Sequence, residues 1–230
     1  MTFPELGIKY IEMVRQVKVQ FLQHSHVEYS ISIDTRLQSK IYELAESLIE
    51  PHSSVLDLGC GDGTFLKRLE ERKNAKGVGV EISHEGVVKC LAKGLTVFQG
   101  DVDEGLKDYG DNAFDYVTLL STIQMLFHPD LVLFEMIRVG KKAIVSFPNY
   151  GYWKNRLRLL RGLTPVYRGT SWYSTPNIHN LTIKDFLRFC RENNIKVGKF
   201  FLLSPHGKLL KTPFNGNLVA SDAIFELWKE

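Results

Sequence analysis

Apolar positions change their spacing several times along the chain. Leu6, Tyr10, Val14, Val17 and Phe21 recur at steps of four, four, three and four, the stripe of an amphipathic helix. Val27, Tyr29, Ile31 and Ile33 then alternate with polar neighbours, as a short strand does. Helical spacing returns at Leu37, Ile41, Leu44, Leu48 and Ile49, opened by Asp34 as a cap and closed by Pro51. From about 53 to 147, short β-rich runs alternate with helical stretches, which predicts a parallel α/β sheet. The runs 54–58, 77–81, 95–98, 114–120 and 142–147 read as strands. Between them fall a helix carrying Phe65, Leu66 and Leu69, and one capped by Ser83 with Glu85 in its first turn. A third begins near Pro129 and carries Leu131, Phe134, Ile137 and Arg138. Thr182 caps a later helix with Ile183, Phe186, Leu187 and Cys190 on one face, and closing strands are expected near 195–203 and 218–228.

This organisation separates a helical extension, residues 1–50, from a sheet domain, 51–230, with 148–181 as a lid or docking insert. The composition is that of a globular protein: 230 residues, 44% hydrophobic and 24% charged, so wholesale disorder is excluded. A net charge of +3 is too mild to argue for nucleic acid. No apolar run approaches the roughly 18 residues of a membrane span, and MTFPELGIKY lacks the apolar stretch of a signal peptide. Cys60, Cys90 and Cys190 are scattered and form no CxxC pair, so neither a disulfide framework nor a zinc site is expected. His24 and His26 form an H-x-H pair without a third ligand nearby. A cytoplasmic protein with reduced thiols and no metal is the expectation.

The densest chemistry is VLDLGCGDGT, residues 55–64, where a strand runs into Gly59, Gly61 and Gly63 and a helix begins at once. Glycines let backbone amides approach a ligand closely, and the helix N-terminus favours an anion. The spacing is G-x-G-x-G, not the G-x-G-x-x-G of dinucleotide folds. Two acids sharpen the reading. Glu81 ends the second strand, placed to accept both hydroxyls of a ribose. Asp101 follows the third strand, where it can accept from an exocyclic adenine amine. All three features sit at C-terminal strand ends, where open α/β sheets bind ligands. A nucleoside site is the joint expectation.

DLGCGDG, GVGVEIS and QGDVDEGL resemble the class I S-adenosylmethionine-dependent methyltransferase fold. The resemblance implies a Rossmann-like seven-stranded sheet of order 3-2-1-4-5-7-6, its last strand antiparallel and helices on both faces. It also implies that amides around Gly59, Cys60, Gly61 and Gly63 hold the methionine end of S-adenosyl-L-methionine or S-adenosyl-L-homocysteine. Asp57, Glu81, Ile82, Asp101 and Val102 are the further cofactor-contacting candidates, with Ser121 and Gln124, after the fourth strand, facing the reactive end. VLDLGCGDGTFL, GVEIS, DVDEGL, AFDYV, EMIRVGKKAIVSFPNYGYW and STPNIH, spread over about 53–197, resemble the MetW family of methionine biosynthesis. That likeness implies homoserine O-acyltransferase, MetX, as a partner. Ser174 departs from it, standing where the family usually has an acid, and the portion to about residue 35 is longer than the family needs.

No catalytic residue is assigned. Methyl transfer from a sulfonium can rest largely on positioning, and the Asn/Asp-Pro-Pro-aromatic motif of amino-methylating enzymes is absent. His179 reads as a structural residue in a Pro-Asn turn, with a base role as the alternative. From Met136 to Lys184 there is no acid, while cations and the aromatics Tyr150, Tyr152, Trp153, Tyr167, Trp172 and Tyr173 interleave. Such a segment suits a substrate lid, an RNA-facing surface, a protein-docking surface, or an ordinary solvated lid helix whose arginines pair with acids elsewhere. The leading expectation is a cofactor-binding protein that binds and supports the acyltransferase. A methyltransferase acting on a small molecule, or on RNA, is the alternative.

Overall fold

Strand β1 (Ser54–Leu58) enters the glycine turn, from which α2 (Thr64–Lys73) emerges; α1 (Thr35–Leu48) precedes them. The computed structural model describes residues 35–165, 172, 175–211 and 215–229. The apolar stripe of 6–21, the alternation of 27–33, the Asp34 cap, the His24–His26 pair, Tyr167, Tyr173 and Ser174 lie outside the described residues. Onward run β2 (Lys76–Glu81), α3 (His84–Ala92), β3 (Thr96–Gln99), β4 (Phe114–Leu120), α4 (Pro129–Val139) and β5 (Gly140–Pro148). They are followed by α5 (Trp153–Leu160), α6 (Ile183–Glu192), β6 (Ile195–Leu203), the single turn α7 (Gly216–Val219) and β7 (Asp222–Lys229). The sheet order is β3-β2-β1-β4-β5-β7-β6. The first five strands pair in parallel, as the alternating pattern predicts, and β7 runs antiparallel to both β5 and β6, as the methyltransferase resemblance implies.

Helices cover both faces, so the central strands are buried on both sides and read as near-continuous apolar runs rather than alternations. One face packs Leu58, Val117, Val145 and Phe225 beneath α4 and α6. The other packs Val55, Tyr116, Ile144 and Ile224 beneath α1 and α2, with Leu37, Ile41, Leu44, Ala45 and Leu48 of α1 all buried. At roughly 1.5–3 kcal/mol for each fully buried large apolar side chain, that face of α1 contributes substantially to holding the sheet. The caps at Ser83 and Thr182 form as read, accepting from the Gly86 and Asp185 amides.

Three readings change. Residues 216–219 form a helical turn, so the last strand begins at Asp222 rather than 218. At that turn the Asn217 and Ala220 carbonyls accept from Asn149 Nδ2 instead of entering the ladder. Leu187 is 37% exposed while Ile183, Phe186 and Cys190 are buried, so α6 turns a narrower face inward than its spacing suggested. In α4 the inward residues are Val132, Leu133, Met136, Ile137 and Val139; Phe134 stays 38% exposed, its ring 5.8 Å from that of Phe189 in α6.

Candidate functional site

The turn after β1 folds back over the end of β2: the Gly59 and Cys60 amides donate to the Val80 carbonyl at 2.8 and 3.2 Å. Gly59 has φ +67°, and a Cβ there would lie 2.8 Å from both the methyl and the hydroxyl of Thr122. Glycine is therefore required twice, by backbone conformation and by the approach of the β4 loop. Gly61 differs. Its φ is +58°, yet nothing stands within 4 Å of where a Cβ would be, so the turn presents open backbone on that side.

Glu81, at the end of β2, is buried and clasps this turn. Its Oε2 accepts from the Gly61 amide at 2.8 Å and its Oε1 from the Ser83 amide, also at 2.8 Å. The expectation treated Glu81 only as a sugar acceptor; its structural duty was not legible, because it depends on where two distant amides come to lie. A carboxylate offers about four acceptor sites, so two amides leave capacity for two further donors. On the outer rim, Lys93 Nζ donates to the Asp62 carboxylate and carbonyl, each at 2.7 Å, and to Thr64 Oγ1 at 2.9 Å. Burial would raise the Asp62 carboxyl, but the hydrogen bonds from Lys93 and Thr64 outweigh it and hold the group below its ordinary range.

Asp57 lies under the turn, fully buried, accepting from Thr118 Oγ1 at 2.6 Å. Burial pushes its carboxyl up to about 7; the Thr118 hydrogen bond opposes that rise and the neighbouring Glu81 charge adds to it. Its reach is to the sheet interior. Cys60 and Cys90 place their sulfurs 3.8 Å apart behind the turn, and burial raises both thiols. Asp101 caps the short turn Val102–Glu104, its Oδ1 accepting from the Asp103 amide at 3.0 Å. Val102 is buried beneath it. The Gly100 amide donates to the Glu81 carbonyl at 3.0 Å, and Gln99 Nε2 reaches the Ile82 carbonyl at 3.4 Å. The ends of β2 and β3, and with them Glu81, Ile82 and Asp101, are thereby tied together.

Ser121 and Gln124 lie on the third side, beyond β4. Ser121 has φ +57° and its amide donates to both oxygens of Ser146 at 3.0 Å. Gln124 Nε2 donates to the Ser121 carbonyl at 2.7 Å. The Ile178 and His179 amides donate to the Gln124 carbonyl at 2.9 and 3.0 Å, a contact across 179 − 124 = 55 residues that no local pattern reveals. The sequence reading also missed Asn149. This buried amide donates to the Asn217 and Ala220 carbonyls and accepts from the Gly151 and Ile183 amides.

The acid-free stretch is not acid-free in space. Arg138 pairs with Glu135 and Asp111, Lys141 with Asp115, and Lys142 with Glu226. Arg156 and Arg158 donate to the backbone carbonyls of Gly151 and Thr164. Helix α5 has no buried residue, and Leu160 is 84% exposed. Among the described residues no group of three or more His, Cys, Asp or Glu side chains is arranged to hold a metal, and no helix is long and apolar enough to cross a membrane.

Comparison with known proteins agrees with this architecture. The chain is 16% identical to a SAM-dependent methyltransferase from Thermotoga maritima, with a TM-score of 0.65 over 93% of this chain and 100% of that one. It is 17% identical to the magnesium protoporphyrin IX methyltransferase of Synechocystis, solved with bound SAH, with a TM-score of 0.60 over 89% and 88%. Such likeness shows the fold. It is 32% identical over 80% of its length to the bifunctional methionine biosynthesis protein MetXA/MetW of Rhodopirellula baltica, covering 32% of that protein. A carboxy-S-adenosyl-L-methionine synthase from Methylococcus capsulatus is 27% identical over 46% of this chain and 48% of its own. The chain thus spans about a third to a half of these relatives. The family described as methionine biosynthesis protein MetW matches residues 40–227, nearly the whole described sheet and its helices, and the chain belongs to that family.

Proposed function

We propose that this chain binds S-adenosylmethionine or S-adenosylhomocysteine in the glycine turn and supports homoserine O-acyltransferase, MetX, in methionine biosynthesis. The observation that carries the partner is the Rhodopirellula baltica relative, in which a MetW portion and a MetXA portion are one polypeptide. Fusion is a covalent form of association and raises the effective concentration of the two parts.

The residues suit the cofactor. The open backbone at Gly61 leaves room for the methionine end, and Glu81 keeps acceptor capacity for two ribose hydroxyls. Asp101, tied to Glu81 through the ends of β2 and β3, is the acceptor for the adenine amine. When bound, the cofactor supplies a sulfonium methyl group. This chain's own residues bind and orient it. Exposed α5, with Trp153, Leu159 and Leu160 outward among arginines, supports a docking role for the insert.

The test mixes the full chain with homoserine O-acyltransferase and follows co-elution and acyl transfer, with and without S-adenosylmethionine. Co-elution with raised activity is expected; separate elution with unchanged activity refutes the partnership. Methyl transfer to a small molecule is the second reading, favoured by the unpartnered Ser121 and Gln124 oxygens beside the turn. Formation of S-adenosylhomocysteine from S-adenosylmethionine in a metabolite pool distinguishes it.

A further inference from the structure

Among the described residues, four buried side-chain polar atoms have no hydrogen-bonding partner within the protein: Ser121 Oγ, Gln124 Oε1, Asn177 Oδ1 and His179 Nε2. An unsatisfied buried group costs about 1–3 kcal/mol, and native folds keep few of them. Scattered through the core, four would signify little. Here all four belong to two segments bonded to each other, because the Ile178 and His179 amides both donate to the Gln124 carbonyl. The glycine turn adjoins them: Thr122, between Ser121 and Gln124, fills the space against Gly59.

We infer that Ser121, Gln124, Asn177 and His179 form a second ligand site beside the glycine turn, which takes a small molecule through its hydroxyl group. Its identification as a substrate site rests on the cofactor reading of the turn; its chemistry rests on these residues alone. The polarity of Gln124 is fixed. Its Nε2 donates to the Ser121 carbonyl, which can only accept, so the amide cannot be flipped and Oε1 must be offered a donor. Gln124 is 1% exposed, so bulk water does not serve it. Asn177 is oriented by its own Nδ2, which donates to the Tyr150 hydroxyl at 2.8 Å. Ser121 is held at φ +57°, an unusual conformation for a residue with a side chain, by the two bonds from its amide to Ser146.

The acceptor Gln124 Oε1 needs a donor, while Ser121 Oγ and His179 Nε2 can each donate or accept, so the fitting partner is a group that does both. None of the four residues is a carboxylate. These four residues therefore offer a buried ammonium no counter-charge of their own, and burying an unpaired charge is costly. A hydroxyl donates to Gln124 Oε1 and accepts in return from the Nε2–H tautomer of His179, with the Ser121 hydroxyl able to turn to either role, so it satisfies both kinds of group at once.

The test is a ligand-observed NMR screen of the full chain against paired small alcohols and their deoxy analogues, beginning with L-homoserine and L-2-aminobutyrate. It is run with and without saturating S-adenosylhomocysteine. The alcohol of a pair should bind and its deoxy partner should not. His179→Phe should weaken the alcohol about tenfold or more, the loss of one good hydrogen bond. Tyr150→Phe, which removes the hydroxyl orienting Asn177, is an independent second variant with the same expected direction. Binding of neither member of any pair, equal binding of both members, or alcohol binding unchanged in the folded variants overturns the proposal. Direct titration with S-adenosylhomocysteine reports separately on the turn: if it does not bind while alcohols still do, the cofactor reading fails and the second site stands.

Discussion

Glu81 is the residue whose removal should be felt twice, once by the fold and once by the ligand. Its two oxygens accept from the Gly61 and Ser83 amides, each at 2.8 Å. Hydrogen bonds to a charged group contribute about 1.5–3 kcal/mol each, so Glu81→Ala forfeits roughly 3–6 kcal/mol gross. Gly61 and Ser83 are both exposed, so water takes up their freed amides. A net loss of about 1–3 kcal/mol is expected, which for a chain of this size lowers the melting temperature by roughly 2–12 °C. Glu81→Gln should not restore the wild type, since one amide gains a weaker neutral acceptor and the other meets an N–H group. The ligand's loss is larger. On the proposed cofactor reading two ribose hydroxyls lose a shared charged acceptor, and a fall in S-adenosylhomocysteine affinity of about a hundredfold or more is expected. Thermal melts without ligand and calorimetric titration read the two effects separately. A variant that melts with the wild type contradicts the clasp, and undiminished affinity removes Glu81 from the sugar.

Asn149→Ala should cost about 2–5 kcal/mol in denaturant melts, because it strands two amides and two carbonyls in a buried junction; a loss below about 1 kcal/mol contradicts that role. Gly59→Ala should destabilise through both its positive φ and its 2.8 Å approach to Thr122, and adding Thr122→Ala should recover part of the loss; no recovery refutes the steric share. Asp57 gives a pH signature. Below its ordinary value of 3.8 the carboxyl is neutral whether the chain is folded or not, while between there and about 7 only the unfolded chain ionises. Stability conferred by the neutral buried carboxyl is therefore lost as pH rises through that window. Relative to Asp57→Asn, the wild type should lose up to about 4 kcal/mol between pH 4 and 8, and parallel stability profiles would contradict this.

The strands and helices of the sheet were legible because their signals are local or repetitive, while the strand order came from the family resemblance. Apolar runs mark strands buried on both faces, Ser83 and Thr182 cap the helices that follow them, and three glycines announce the turn. Helix faces were less legible: Leu187 and Phe134 lie within apolar stripes yet remain partly exposed, since the inward direction is decided by whatever packs opposite. The partners of the positive stretch were not legible either, since they come from elsewhere in the sequence. Arg138, Lys141 and Lys142 find carboxylates at 111, 115, 135 and 226, none of them within it. Side-chain-to-backbone junctions were invisible. Asn149 meets residues 151, 183, 217 and 220, and Gln124 meets 178 and 179, through bonds that only the closed fold creates.

The most direct measurement is amide chemical-shift mapping of the full chain titrated with S-adenosylhomocysteine. The account predicts saturable shifts concentrated at Gly59–Gly63, Glu81–Ser83, the backbone around Asp101, and Ser121–Gln124, the four strand ends that hydrogen bonds and the Gly59–Thr122 approach bring together. Saturable shifts located elsewhere on the sheet, or none at millimolar ligand, would contradict it.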